Sequence, residues 1–344
     1  MTGGPGAADA DLERGLRALA EVTDGRDPTE EAAEFVLALL TPGCFAAGQA
    51  EPAIRFLRSE GFEPVYTQML SFDEERVGRV WRDSLAAMKP ARRTVVHELL
   101  MSGESLLLLL RDSKRSRVLS ASERLAELKG HSNPSKCPPD SLRVRLGAAN
   151  RVINLIHSAD STSSTVRELA ILLDDDLPAA WCAAVDRRST PLAVQPVPLG
   201  VGTRWCGNSI AHVCVIVRAR LVDALTAPAW RAGERTGNRV DGWRIRCADE
   251  LRWISGQSIK DPRRVAAAYR ERFPRPMVTE DRGVASSAPG RARLAALRLL
   301  DTLQQGGPVD LERLRRTLEQ SRCVLDGWEW VVLASSAVMS ADDG

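Results

Sequence analysis

Five consecutive leucines, Leu106 to Leu110, constrain the fold of this chain more than any other feature. A run this short cannot cross a bilayer, which takes roughly 20 apolar residues in a helix. It follows a helix stop at Ser102-Gly103 and reads as a strand buried on both faces. Such a strand needs a sheet on either side and helices to cover that sheet, and the flanking sequence supplies both. Glu34 to Leu40 is a second apolar run, ended by Thr-Pro-Gly, and Glu63 to Leu70 alternates as a further strand. Between them, Glu51 to Arg58 has helical spacing (Ile54, Leu57) with Gly61 placed to stop it. Asp73 opens a helix through Val77, Val80 and Trp81, and another covers Arg93 to Met101. After the leucines come a short helix over Ser120 to Leu128 and a proline-containing loop over Gly130 to Pro139. A fourth strand is expected over Val152 to Ile156, then a helix capped by Asp160 or Ser161 and running to Leu173. The order β-α-β-α-α-β-α-loop-β-α predicts an α+β domain of ferredoxin-like, split βαβ type.

At 344 residues the chain is long enough for two domains. The expected division is a flexible leader over 1–30 with one short helix near Asp11 to Glu21, a first domain over 31–175, and a second over 176–344. Asp174-Asp-Asp176 followed by Leu-Pro marks the boundary. Beyond it, Pro191 to Gly202 is rich in proline and glycine, and Val284 to Pro289 looks like a linker. Ala211 to Arg218 predicts a strand, and Asp261 to Phe273, Gly290 to Gln304 and Asp310 to Arg322 predict helices, with Trp328 to Val338 a last apolar segment. The second domain is thus mixed and mainly helical. Its terminal helices suit an oligomerisation or protein-contact element, so a homo-oligomer and a protein partner are both expectations.

With 47 Lys and Arg against 45 Asp and Glu, the net charge of +2 gives no electrostatic case for a nucleic-acid binder. Trp243 and Trp253 stand among arginines, but ordinary core aromatics beside surface arginines explain them. The seven cysteines form no C-x-x-C pair and their count is odd, which argues against a disulfide framework or zinc site and suits reduced thiols. The N-terminus is acidic and lacks the apolar stretch of a signal peptide. A cytoplasmic protein without a membrane anchor is the expectation.

The chemistry concentrates in Asn150-Arg-Val-Ile-Asn154-Leu-Ile-His157-Ser-Ala-Asp160-Ser161, with Glu168 eleven residues after the histidine. A neutral imidazole is nucleophilic near pH 7, and a carboxylate on its other nitrogen fixes the tautomer and balances the cation formed on attack. Upstream lie Ser132-Asn133-Pro134 and, nine residues after the proline, Arg143. In collinear order these residues resemble the nucleoside diphosphate kinase family: N-x-x-H-G-S-D-S with a following glutamate, T-N-P, and a phosphate-binding arginine. Glu34 to Pro42, the next helix and Phe62 to Tyr66 resemble the family's opening, so the likeness spans residues 34 to 175. It implies phosphoryl transfer from ATP or another nucleoside triphosphate through a phosphohistidine at His157, with Glu168 as its carboxylate partner. It further implies Arg143, Asn154, Ser132 and the strand end at Thr41 as nucleotide contacts, Mg²⁺ carried in with the nucleotide, and no metal ligands of the protein's own.

The departures from the family pattern are specific. Thr41 stands where the family has a lysine, in A-I-K-P-D-G, and supplies no cation to the transferring phosphate. Ser158 replaces a glycine, Ala159 a serine, and Trp81 a tyrosine near the active site. The family's second phosphate arginine falls on Ala126, with Arg124 nearby. Loss of such a cation commonly removes a few kcal/mol of transition-state stabilisation. Two expectations follow: a specialised or attenuated kinase-like phosphotransferase, or a catalytically degenerate nucleotide-binding domain with a regulatory or scaffolding role.

Overall fold

Every residue of the first strand, β1 (Phe35–Leu40), is buried, as is the leucine run that pairs with it. The computed structural model describes residues 6–23, 25–115, 118–187, 192, 206–231, 238–278 and 287–342. Two compact units emerge, one built on Met1–Met88, His97–Ala148 and Asn154–Arg204, the other on Lys89–Val96, Ala149–Ile153 and Trp205–Gly344. The Pro191 to Gly202 stretch, apart from Leu192, and the first half of the expected linker, 284–286, lie outside the described residues, while Ser287 to Pro289 cap and open the helix that follows.

In the first unit α1 (Gly6–Ala20) and α2 (Pro28–Ala32) precede β1. Then come α3 (Pro42–Ala46), α4 (Ala50–Ser59), β2 (Phe62–Leu70), α5 (Glu74–Val80), α6 (Arg82–Ala86) and α7 (Pro90–Met101), of which the part after Val96 belongs to this unit. β3 (Ser105–Asp112), α8 (Ala121–Lys129), α9 (Leu142–Arg145), β4 (Ile156–Ser158), α10 (Thr162–Leu173) and α11 (Leu177–Asp186) complete it. The four strands form one sheet in the order β2-β3-β1-β4, with each neighbouring pair antiparallel. This is the split βαβ arrangement expected from the sequence. β1 and β3 lie in the middle, which explains their unbroken apolar character. Pro64 falls at a register shift on the edge strand β2, where a missing N–H is tolerated.

The leader expected over 1–30 is helical from Gly6 to Ala20, and its Leu19 is completely buried. α1 approaches α10 closely because position 15 lacks a side chain. A Cβ on Gly15 would sit 2.7 Å from Val166 Cγ1 and 2.9 Å from the Val166 carbonyl oxygen. Gly15→Ala is therefore expected to destabilise the protein by about 1–3 kcal/mol through overpacking, although alanine is the better helix former by up to ~1 kcal/mol. Urea unfolding measures this, and a stabilised variant would show that the two helices do not meet at Gly15.

β4 begins four residues later than the expected Val152 start. The Asn150 side chain accepts from the backbone N–H groups of Val152 and Ile153, both at 2.9 Å, and so bends the chain there. Leu155 then takes a left-handed φ of 70°, and Ile156 N–H reaches the Asn154 carbonyl at 2.9 Å in a γ-turn. His157 consequently lies within the strand, directly opposite Leu39.

The regular elements described in the second unit are helices: the first part of α7, then α12 (Ile210–Arg231), α13 (Asn238–Ile254), α14 (Pro262–Arg272), α15 (Ala288–Gln304), α16 (Leu311–Ser321) and α17 (Gly327–Asp342). The strand expected over Ala211 to Arg218 is instead the first part of α12. Ala211 and Val215 lie one helical turn apart and pack with Ile254, Val265, Tyr269 and Phe273. A helix buried nearly all round shows no polar stripe, so its β-branched run imitates a strand. The Trp328 segment is α17, whose Trp328 indole donates to the Gly207 carbonyl at 2.9 Å. No helix among the described residues is long and apolar enough to cross a membrane.

Candidate active site

His157 stands on the edge strand β4 with 19% of its side chain exposed, and both of its ring nitrogens are engaged. Nε2 lies 2.8 Å from Glu168 Oε2. Glu168 projects from α10, whose N-terminus is fixed by Ser161 accepting from Ser164 N–H at 3.1 Å. Ser161 rather than Asp160 thus provides the cap. Nδ1 faces the Trp81 indole, whose Nε1–H donates to it at 3.2 Å. A donor at Nδ1 and a carboxylate at Nε2 together assign the tautomer: Nε2 carries the proton and Nδ1 the lone pair. The other Glu168 oxygen is 3.6 Å from the Arg167 guanidinium.

Two buried cations hold the free edge of β4. Leu155 and Ala159 bond to β1 on one side, through the Thr41 N–H and the Leu37 carbonyl. The Ile156 and Ser158 carbonyls therefore point to the other side. Arg143 from α9 donates to the Ile156 carbonyl at 3.0 Å and to the Gly130 carbonyl at 2.7 Å. Lys129, the last residue of α8, donates to the Ser158 carbonyl at 2.9 Å, the Ser158 hydroxyl at 2.8 Å and Asp160 Oδ1 at 2.8 Å. These bonds close an edge that would otherwise present unpaired carbonyls. Burial lowers the Arg143 guanidinium to about 10. Burial, with Arg143 nearby, likewise holds Lys129 below the usual lysine range. Burial pushes the Asp160 carboxyl up, but Lys129 outweighs it and leaves the group below its ordinary value.

The remaining expected site residues are distributed around this core. Thr41 is 4% exposed at the end of β1, two residues beyond the cross-strand partner of His157. Its hydroxyl donates to the Leu155 carbonyl at 3.1 Å, which also receives the Thr41 N–H. Asn154 leads into the γ-turn before the histidine. Ser132 is half-buried in the loop between α8 and Pro134. Arg124 turns away: it pairs with Asp112 at 2.6 Å, donates to the Glu60 carbonyl and covers the Phe62 ring. Lys129 escaped sequence reading because a lysine in the last turn of a short helix looks like a solvated terminus. Among the described residues, no group of three or more His, Cys, Asp or Glu side chains is arranged to hold a metal ion.

Residues 34–177 match the family model described as nucleoside diphosphate kinase. The N-terminal domain is nucleoside diphosphate kinase-like. Within this kinase-like domain, the match begins one residue before β1 and ends at the start of α11. A Thioredoxin domain-containing protein 3 homolog of Heliocidaris crassispina is 26% identical over 151 residues, which are 44% of this chain and 18% of that protein. The chain thus spans under a fifth of the length of the curated relative it matches. Among solved structures, the apo nucleoside diphosphate kinase of Encephalitozoon cuniculi aligns at 18% identity with a TM-score of 0.37, covering 42% of this chain and 91% of that one. The Aquifex aeolicus nucleoside diphosphate kinase aligns at 23% identity with a TM-score of 0.34, covering 40% of this chain and 93% of that one.

Proposed function

We propose that the kinase-like domain is a phosphotransferase that carries a phosphoryl group on Nδ1 of His157. The supporting observation is the 2.8 Å contact between His157 Nε2 and Glu168 Oε2, which leaves Nδ1 as the nitrogen with a lone pair. The donor substrate is a nucleoside triphosphate with Mg²⁺ as its counter-ion, and the acceptor a nucleoside diphosphate or a related group. Nδ1 attacks the terminal phosphorus, the Nδ1–P bond forms, and the bond from that phosphorus to its bridging oxygen breaks. The electron pair leaves with the nucleoside diphosphate, and the Glu168 carboxylate balances the positive charge left on the ring. Transfer to the acceptor reverses these steps. Asn154, three residues before the reacting histidine, and Ser132, in the loop after α8, serve as polar contacts for the nucleotide.

The turnover proposed is slower than a standard enzyme of this type would reach, because residue 41 is a threonine where phosphate transfer benefits from an ammonium. A second reading draws on one further observation. Both Thr41 and Arg143 direct their donors to backbone carbonyls, so the groups expected to grip phosphate hold the scaffold instead. That favours a nucleotide-binding or regulatory domain without catalysis. Incubation of the full chain with Mg²⁺ and γ-labelled ATP separates the two. Phosphotransfer predicts an acid-labile, base-stable label, whereas the second reading predicts nucleotide binding with no label.

A further inference from the structure

The one His157 nitrogen that Glu168 leaves available is covered by the Trp81 indole. Nε1–H of Trp81 donates to Nδ1 at 3.2 Å, and the two rings meet edge-on, 5.0 Å between centroids and 64° between planes. An imidazole lone pair lies in the ring plane, so the indole N–H occupies the direction from which phosphorus must approach. The contact is built into the fold at several points. Trp81 is the junction residue between α5 and α6, with φ −101° and ψ 21°, and belongs to neither helix. Phe72 packs against it, with 5.4 Å between ring centroids. Arg167 donates to the carbonyls of Arg79 and Val80 at 3.0 and 3.1 Å, which pins the backbone immediately before Trp81. α10 therefore fixes the imidazole through Glu168 and the masking segment through the neighbouring Arg167.

We propose that Trp81 is a positioning residue that masks the nucleophilic lone pair of His157 in the resting protein. The proposal rests on the phosphotransfer reading above and specifies what controls its first step. With the Arg79 and Val80 carbonyls held, exposure of Nδ1 proceeds by rotation of the indole rather than by movement of α5. A phosphoryl donor reaches Nδ1 only after that rotation. The Nδ1–P bond then forms as the phosphorus–leaving-group bond breaks, and the leaving group departs with its electron pair. The Nε2 proton stays between the ring and Glu168 throughout the attack.

Two phosphoryl donors test this on the full chain. Phosphoramidate phosphorylates imidazoles without needing a nucleotide site and releases ammonia; Mg²⁺–ATP needs both the site and the nucleophile. Trp81→Phe removes the N–H and should accelerate phosphoramidate labelling of His157 by about two- to tenfold, the range for loss of a single hydrogen bond. Labelling should disappear in Trp81→Phe combined with His157→Ala. A ¹⁵N spectrum of the His157 imidazole supplies a readout that altered packing alone does not produce. Its Nδ1 resonance should move toward that of a nitrogen with a bare lone pair. If Trp81→Phe folds poorly, genetically encoded 3-benzothienylalanine at position 81 keeps the ring shape and replaces N–H by sulfur. An unchanged Nδ1 resonance, or a phosphoramidate rate equal to or below that of the wild type in the folded variant, overturns the proposal. Faster labelling by phosphoramidate with none from ATP supports the mask and instead overturns the nucleotide reading.

Discussion

Glu250→Ala is expected to destabilise the helical unit by about 3–5 kcal/mol, because it breaks a buried ionic network rather than a surface pair. Glu250 is wholly buried on α13. Its Oε2 accepts from Arg218 at 2.7 Å, and its Oε1 accepts from the Tyr269 hydroxyl at 2.7 Å and from Arg246 at 2.6 Å. Arg218, 1% exposed, also donates to Asp301 at 3.1 Å and to the Tyr269 hydroxyl at 2.6 Å. Asp301 in turn accepts from the backbone N–H groups of Met277 and Val278, at 2.8 and 3.3 Å. One carboxylate therefore ties α12, α13 and α14 together and balances a cation that has no access to water. Without it, Arg218 keeps a single carboxylate and Tyr269 loses its acceptor. Burial raises the nearby thiols of Cys214 and Cys247 to about 12, so they remain protonated and the network offers no thiolate nucleophile. Urea unfolding followed by tryptophan fluorescence reads the loss, since Trp253 packs on Tyr269 and Phe273. A change below about 1 kcal/mol would mean that water reaches Arg218. Replacing Arg218, Glu250 and Asp301 together with apolar residues of similar volume should recover much of the stability, because such swaps avoid the desolvation of charge.

Glu168→Gln should slow phosphorylation of His157 by about ten- to a hundredfold while leaving the fold intact. The amide keeps the size and one acceptor, so α10 and its packing survive. It loses the negative charge that opposes the cation formed when Nδ1 attacks. It can also turn its NH₂ toward Nε2, which then gives up its proton and moves it to Nδ1. That tautomer has no lone pair at Nδ1, the nitrogen that attacks phosphorus. Single-turnover labelling alongside thermal unfolding separates the effects. A wild-type rate at unchanged thermal stability would remove Glu168 from the mechanism.

What the sequence discloses and what it hides divide along physical lines. β1, β2 and β3 were legible because strands buried on both faces, or alternating at an edge, leave long apolar signatures. β4 was displaced by four residues because Val152 and Ile153 look like strand residues, while the Asn150 side chain and the left-handed Leu155 bend the backbone there. α12 was misread for a related reason: a nearly all-buried helix has no readable period. At the candidate site, the resemblance of the Asn154 to Glu168 segment to the family's motif singles out His157 and Glu168, and the fold sets them 2.8 Å apart. Sequence register also brings Thr41 and Arg143 to the strand that carries the histidine. The direction of their side chains depends on which carbonyls of a short edge strand lack partners, and that is decided only by the assembled sheet. Lys129 shows the same limit, since nothing in its neighbourhood of α8 announces a buried ammonium beneath Ser158 and Asp160.

Phosphotransfer at His157 is tested most directly by locating the phosphate itself. The 344-residue chain, labelled with ¹⁵N in its imidazoles, is incubated with Mg²⁺–ATP, and the modified histidine is identified by phosphorus–nitrogen correlation and by mass spectrometry of its peptides. One phosphohistidine is expected, at His157, with phosphorus bonded to Nδ1, and no such signal in His157→Ala. Phosphate on Nε2, on another residue, or undiminished in His157→Ala would contradict it.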